Sequence, residues 1–162
     1  MVWCLVCTIG HRMLGTLSAG EIEDLLGTEV VARIGCHAEG RTYVVPVTYA
    51  YDGDGVLIQS ADGLKLRMMR ENPQVCVEVD HIDDLANWRS VIAWGHFEEL
   101  FGDDATAALA RIRVRLQPLL VSETMPGSET LAEGETRVRR GNGHVSIYRI
   151  HLLKKTGRFE RR

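Results

Sequence analysis

The spacing of apolar positions changes several times along the chain, and each change marks an element. Ser18 stands three residues before Glu21, the spacing of a capping box, with Leu17 ahead of it as a staple. Ile22, Leu25 and Leu26 follow at helical spacing, and Gly27 supplies the stop. Strand patterning comes next. Residues 29–36 carry Val30, Val31, Ala32 and Ile34, Glu39-Gly40 makes a turn, and Thr42 to Tyr51 is dense in β-branched and aromatic side chains. Pro46 has no N–H to give to a ladder, which places it at an edge or a bulge. Asp52-Gly53-Asp54-Gly55 turns the chain into an antiparallel return over residues 56–60.

After Asp62-Gly63 the period is helical again. Leu64 and Met68 lie one turn apart in a short helix over residues 64–71, which Asn72-Pro73 ends. Val75, Val77 and Val79 alternate with Cys76 and Glu78 and predict a strand, followed by a polar loop over residues 80–87. Residues 88–100 form a long strand with Gly95 as a bend or a close approach. Residues 103–116 are helical, with Ala107, Ala108, Leu109 and Ile112 on the buried side and Pro118 closing the helix. Residues 122–144 are polar and contain glycine, as a surface loop does. Val145, Ile147, Ile150 and Leu152 belong to a final strand, and the basic tail beyond Thr156 is expected to be peripheral. The sum is about five or six strands and two or three helices without regular βαβ units, which argues against a doubly wound sheet. A small antiparallel barrel, which closes its own edges, fits that count.

Composition narrows the function classes. The 162 residues suit one domain. Lysine plus arginine is 19 against 22 aspartates and glutamates, a net charge of −3, which does not favour a nucleic-acid partner. Residues 2–9 are apolar but too short to span a bilayer and lack a basic leader region, so a cytoplasmic protein with no membrane partner is expected. Residues 1–12 read as a loosely ordered extension, or as an extra strand, ahead of a domain over residues 13–162. Cys4 and Cys7 form one C-x-x-C with no second, so no metal site is assigned, and Cys36 and Cys76 read as buried thiols. The histidines at 11, 37, 81, 96, 144 and 151 are scattered. None forms H-E-x-x-H, and neither G-x-S-x-G nor a phosphate-loop motif is present. No catalytic residue is assigned.

Three segments carry candidate chemistry. In Ser60-Ala61-Asp62-Gly63-Leu64-Lys65 a strand ends and a helix begins, so the first N–H groups of the helix lack intrahelical acceptors. Lys65 in the first turn opposes the helix dipole unless an anion is present. A phosphate would accept from those N–H groups, from the Ser60 hydroxyl and from Lys65; alternatively Lys65 points into water and Ser60 is a turn residue. In Val44-Val45-Pro46-Val47-Thr48 a flat heterocycle could dock by its polar edge, or the proline only protects a strand edge. In Trp88-Arg89-Ser90-Val91 the indole could cap a ring and the arginine and serine could meet a phosphate, or the segment packs in a core or an interface.

The stretches LSAGEIEDLL, YVVPVTYAYDGDGVLIQSADGLKLRMMRENPQVCVEV, NWRSVIAWGHFEEL and a terminal strand followed by TGR, in this order, resemble the pyridoxamine 5'-phosphate oxidase-like split-barrel superfamily, nearest its nitroimidazole-resistance-protein-like branch. The resemblance covers about residues 13–158. It implies a mainly β fold, a six-stranded antiparallel split β-barrel with peripheral helices, working as a homodimer with two FMN sites at the interface. Carried onto this chain, Val45, Pro46, Val47 and Thr48 would lie beside the isoalloxazine. Ser60, Ala61 and Lys65 would meet the phosphate, and Trp88, Arg89, Ser90 and Val91 would complete the pocket. The implied activity is FMN-dependent transfer of hydride or electrons to a small organic acceptor. F420-dependent reductases and non-enzymatic flavin- or haem-binding proteins are the alternatives. The chain departs from its relatives at Gln59, where many have histidine, and at Leu64, where many have a basic residue. The substrate-binding arginine pattern of the true pyridoxamine phosphate oxidases is not evident.

Overall fold

A computed structural model describes residues 13–120 and 145–162. The expected extension at residues 1–12 and the expected loop at 122–144 lie outside the described residues. In chain order the elements are β1 (Met13–Thr16), α1 (Ala19–Thr28), β2 (Val31–Ala38), β3 (Arg41–Thr48), β4 (Ala50–Tyr51), β5 (Gly55–Ala61), α2 (Leu64–Glu71), β6 (Gln74–Asp84), β7 (Asn87–Glu99), α3 (Gly102–Leu120) and β8 (Val145–Arg161).

All eight strands join one antiparallel sheet in the order β3-β2-β6-β7-β8-β5-β4, with β1 paired to the far end of β8. This corrects the expected six-stranded antiparallel split β-barrel: the sheet has eight strands and does not close. The two ends of the ladder, β3 and β4, do not pair with each other, so among the described residues the sheet is open at both edges. The sheet curls enough to bring Cα atoms of β3 within 8 Å of β5 without closing the ladder. Pro46 sits on the edge strand β3, opposite Arg33, where its missing N–H breaks no pairing.

Other expectations shift in register or length. The polar residues 80–84 extend β6 instead of forming a loop, because Asp80 and His81 pair with Ser90 and Arg89 and backbone pairing is indifferent to side-chain polarity. The basic tail is strand: Arg158 to Glu160 pair with both β1 and β7, and Gly157 pairs with Val91 of β7. Pro118 falls inside the last turns of α3 rather than ending it. Glu39 and Gly40, at φ 48° and 71°, form the tight β2–β3 turn whose positive φ at both central residues suits the twist of the strands. The capping box of α1 forms as expected: Ser18 Oγ accepts from the Glu21 N–H at 3.3 Å, and Glu21 Oε2 accepts from the Ser18 N–H at 2.8 Å.

The core lies on the concave face. Ile34 and Cys36 of β2, Val56 and Ile58 of β5, Val77 and Val79 of β6, Val91 and Phe97 of β7, and Tyr148 and Ile150 of β8 point into it. Leu25 and Leu26 of α1 and Leu66 and Met69 of α2 close it from above. Each such side chain contributes about 1.5–3 kcal/mol by leaving water. Tyr49 is fully buried and donates its hydroxyl to the Leu26 carbonyl at 2.8 Å, tying α1 to the sheet. Helix α3 covers a separate patch through Ala108 and Ile112 against Ala50 and Leu57. Gly95 has a structural cause. At that position β7 shifts register against β8, and a Cβ would lie 2.3 Å from the His151 carbonyl oxygen.

Candidate functional site

Helix α2 begins where β5 ends, and its start is built without a cap. Gly63 holds the N-cap position with no side-chain hydrogen bond, and no acidic residue occupies the first turn. The first intrahelical bond runs from the Arg67 N–H to the Gly63 carbonyl, which leaves the N–H groups of Leu64, Lys65 and Leu66 without intrahelical partners. Leu66, Met68 and Met69 bury one side of the helix, which fixes where the rest of the first turn points. Asn72 pins the other end by donating to the His37 carbonyl at 2.8 Å.

Lys65 is half-buried in that first turn, and burial holds its ammonium below the ordinary lysine range, with the neighbouring Cys36 thiol opposing the shift. Among the described residues no carboxylate engages it. A cation at a helix start, partly desolvated and without a counter-charge, is a place an anion would stabilise. The acidic residue nearest in sequence, Asp62, is turned away from this role. Its carboxylate accepts from Arg70 at 3.0 Å, and Arg70 in turn grips Glu99 with Nε at 2.8 Å and Nη2 at 2.7 Å. Ser146 completes this network, lying 3.4 Å from Asp62 and 3.3 Å from Arg70. Glu99 is held below the usual carboxylate range by the Arg70 hydrogen bond.

Ser60 lies beside this corner at the end of β5, opposite Ser146, and Ala61 follows as the last residue of the strand. The Ser60 hydroxyl donates to the Ala61 carbonyl at 3.3 Å. Two residues along β8, the Tyr148 hydroxyl is fully buried and has no hydrogen-bond partner among the described residues. Ser60, the uncapped start of α2 and Lys65 therefore form one corner that presents donors. It is suited to a phosphate.

Pro46 and Thr48 face outward from β3, while Val45 is half-buried and Val47 belongs to the core. The outward face they share carries a shallow groove of about 540 Å³, lined among others by Gly35, Val44, Cys76 and His37. Val31, Val44, Ile92 and Trp94 are exposed on the convex surface of the sheet. Cys36 is buried and Cys76 partly so, both as free thiols, and no cluster of the described residues could hold a metal ion.

The segment Trp88–Val91 stands elsewhere. Trp88 donates from Nε1 to Glu160 at 3.0 Å, Ser90 donates to Glu78 at 3.1 Å, and the Val91 side chain is core. Arg89 pairs with Phe159 of β8, whereas Ser60 pairs with Ser146 of the same strand. Between those two levels β8 runs roughly 40 Å at about 3.3 Å per residue. Within one chain Ser60 and Ala61 end β5 and Lys65 lies in the first turn of α2 that follows, whereas Trp88–Val91 stand at the opposite end of the sheet.

The profile of the pyridoxamine 5'-phosphate oxidase family matches residues 18–157. The chain belongs to that family. The chain resembles several solved structures over nearly its whole length. A FAD-binding protein from Mesorhizobium loti superposes with a TM-score of 0.70 at 28% identity, covering 94% of this chain and 100% of that one. A protein of Bacteroides thetaiotaomicron described as a 5-nitroimidazole antibiotic resistance protein gives 0.65 at 17% identity, covering 93% and 90%. One from Corynebacterium glutamicum described as a pyridoxamine 5'-phosphate oxidase gives 0.61 at 22%, covering 91% and 98%. The last two establish likeness of fold. An uncharacterized Rhizobium meliloti protein, RA0666, is 31% identical over 84 residues, which span 52% of this chain and 56% of that one. No helix of the described residues is long and apolar enough to cross a membrane.

Sequence reading missed Arg70, Glu99, Ser146 and Tyr148. The alternation of Ser146, Tyr148 and Ile150 was a usable signal, since it places a tyrosine hydroxyl in an otherwise apolar row two residues from a serine.

Proposed function

We propose that this chain binds a flavin nucleotide, FMN, by its phosphate at the start of α2, and acts as an oxidoreductase toward a small, flat, electron-poor organic acceptor. The observation that carries this reading is the half-buried Lys65, without a carboxylate partner among the described residues, in the first turn of a helix whose first three N–H groups lack intrahelical partners, with Ser60 near the end of the preceding strand. Family membership supports the flavin. When bound, the flavin supplies the capacity to accept and pass on hydride or single electrons. The chain's own tasks are to hold the phosphate through Lys65, Ser60 and the N–H groups of α2, and to border the ring with Val45–Thr48. No side chain is assigned as an acid or base.

The site needs a second copy. Arg89 and Trp88 lie too far from Lys65 to serve the same ligand within one chain, so the pocket is completed by Arg89 of the partner subunit. The exposed Val31, Val44, Ile92 and Trp94 give the convex face the apolar character of a surface a partner covers. Two equivalent sites then form across a two-fold interface.

One observation favours a second cofactor reading: the Mesorhizobium loti relative, 28% identical, is described as FAD-binding. Purification without added cofactor, release by heat and mass measurement distinguish the two, followed by titration with FMN, FAD and F420. FMN in the released fraction and tightest FMN binding are expected. Preference for FAD or F420 would reassign the cofactor, and absence of saturable binding by all three would overturn the reading. Sedimentation is expected to give a dimer at micromolar concentration.

A further inference from the structure

The geometry points to Tyr148 as a positioning residue that sets the Ser60 hydroxyl for the flavin phosphate. This inference rests on the proposed phosphate site. Tyr148 is fully buried, and its ring is fixed against Phe97 at 5.3 Å between centroids. Its hydroxyl has no partner among the described residues. Tyr148 pairs with Ile58 across β5 and β8, so Ser60 is its diagonal neighbour on the same face of the sheet. The Ser60 hydroxyl is the polar group that counters the effect of burial on the tyrosine.

A serine hydroxyl has one proton and two acceptor positions. In the structure that proton is directed at the Ala61 carbonyl at 3.3 Å, a long contact between sequence neighbours. Donation from Tyr148 Oη to Ser60 Oγ occupies an acceptor position on the serine and leaves its proton to turn toward an anionic oxygen at the start of α2. The tyrosine gains the partner it lacks, and the serine is held in the rotamer that serves the ligand. No bond is made or broken in this step, and Tyr148 need not touch the phosphate.

Tyr148→Phe in the full chain separates this role from a structural one. A hydroxyl without a partner in the free protein costs stability, so its removal is expected to leave the melting temperature of the apoprotein unchanged or raised. FMN binding is expected to weaken about five- to tenfold while riboflavin, which has no phosphate, binds as before. Ser60→Ala is expected to produce the same selective loss, and the double variant no more than either alone. Tyr49→Phe is the control, because its hydroxyl already donates to the Leu26 carbonyl at 2.8 Å. It is expected to destabilise the fold without discriminating FMN from riboflavin. Unchanged FMN affinity in Tyr148→Phe, equal losses for FMN and riboflavin, or additive effects with Ser60→Ala would each overturn the role of Tyr148 while the flavin site stood. Failure of the wild-type protein to bind any flavin would instead remove the site itself, and the positioning role with it.

Discussion

Replacing Lys65 by alanine is expected to weaken FMN binding by about 10- to 100-fold, the worth of one charge-assisted hydrogen bond in a partly desolvated setting. Riboflavin binding should change little, because the lost contact is to the phosphate. The effect carries a pH signature. Burial lowers the Lys65 pKa in the free protein, and a bound phosphate favours the charged form and raises it again. Binding therefore takes up a proton once the pH passes the lowered value. Affinity is expected to hold steady at neutral pH and to fall as the pH climbs through the Lys65 range, below the 10.5 of an ordinary lysine. Lys65→Arg, which stays charged, should shift that fall to higher pH or abolish it. Fluorescence titration of both ligands across pH provides the check. Equal losses for FMN and riboflavin in Lys65→Ala would take the lysine out of the phosphate site.

The second large effect is on stability. Leu66 of α2 is fully buried, and with Met69 it anchors the helix whose first turn forms the proposed phosphate corner. Leu66→Ala is expected to cost about 2–5 kcal/mol, the range for deleting a buried leucine side chain where neighbours relax only in part. For a domain of this size that lowers the melting temperature by roughly 5–15 °C. Leu64, two residues earlier and 47% exposed, is the contrast: Leu64→Ala should change stability by no more than about 0.5 kcal/mol. Urea denaturation of the two variants measures both. Comparable small losses would mean that α2 is not held by its buried side, and the placement of Lys65 would lose its support.

Much of α2 was legible in the sequence, because Asp62-Gly63 and Asn72-Pro73 bracket it with breakers and Leu64 to Glu71 is helical in the structure. The α1 cap was legible for a similar reason, since Ser18 and Glu21 act on each other over three residues. Whether the sheet closes was not. Closure depends on whether β3 and β4 meet, and no local pattern reports a contact that is not made. The tail beyond Thr156 looked peripheral because of its charge, yet it is strand, since β1 and β7 supply its backbone partners from distant parts of the chain. Asp80 to Asp84 misled in the same way: Arg33 pairs with Asp80 and Glu78 at 2.9 Å, so charge is accommodated on the outer face of β6. Ser60 and Lys65 could be grouped from sequence because one turn separates them. The distance of Trp88–Val91 from that corner needed the register of β8, and the orphaned Tyr148 hydroxyl needed the packing around it.

A site shared between two copies is tested most directly by mixing two damaged chains. In the proposed arrangement, Lys65→Ala and Arg89→Ala each place a defect in both sites of their own homodimer. A dimer assembled from one chain of each kind has one site with both defects and one with neither. After unfolding and refolding an equal mixture, tight FMN sites are expected to return at about one quarter of the wild-type number per chain, as random pairing into two-fold dimers dictates. If the mixture binds no better than the separate variants, while both still form dimers, Lys65 and Arg89 do not act across an interface and the shared site is wrong.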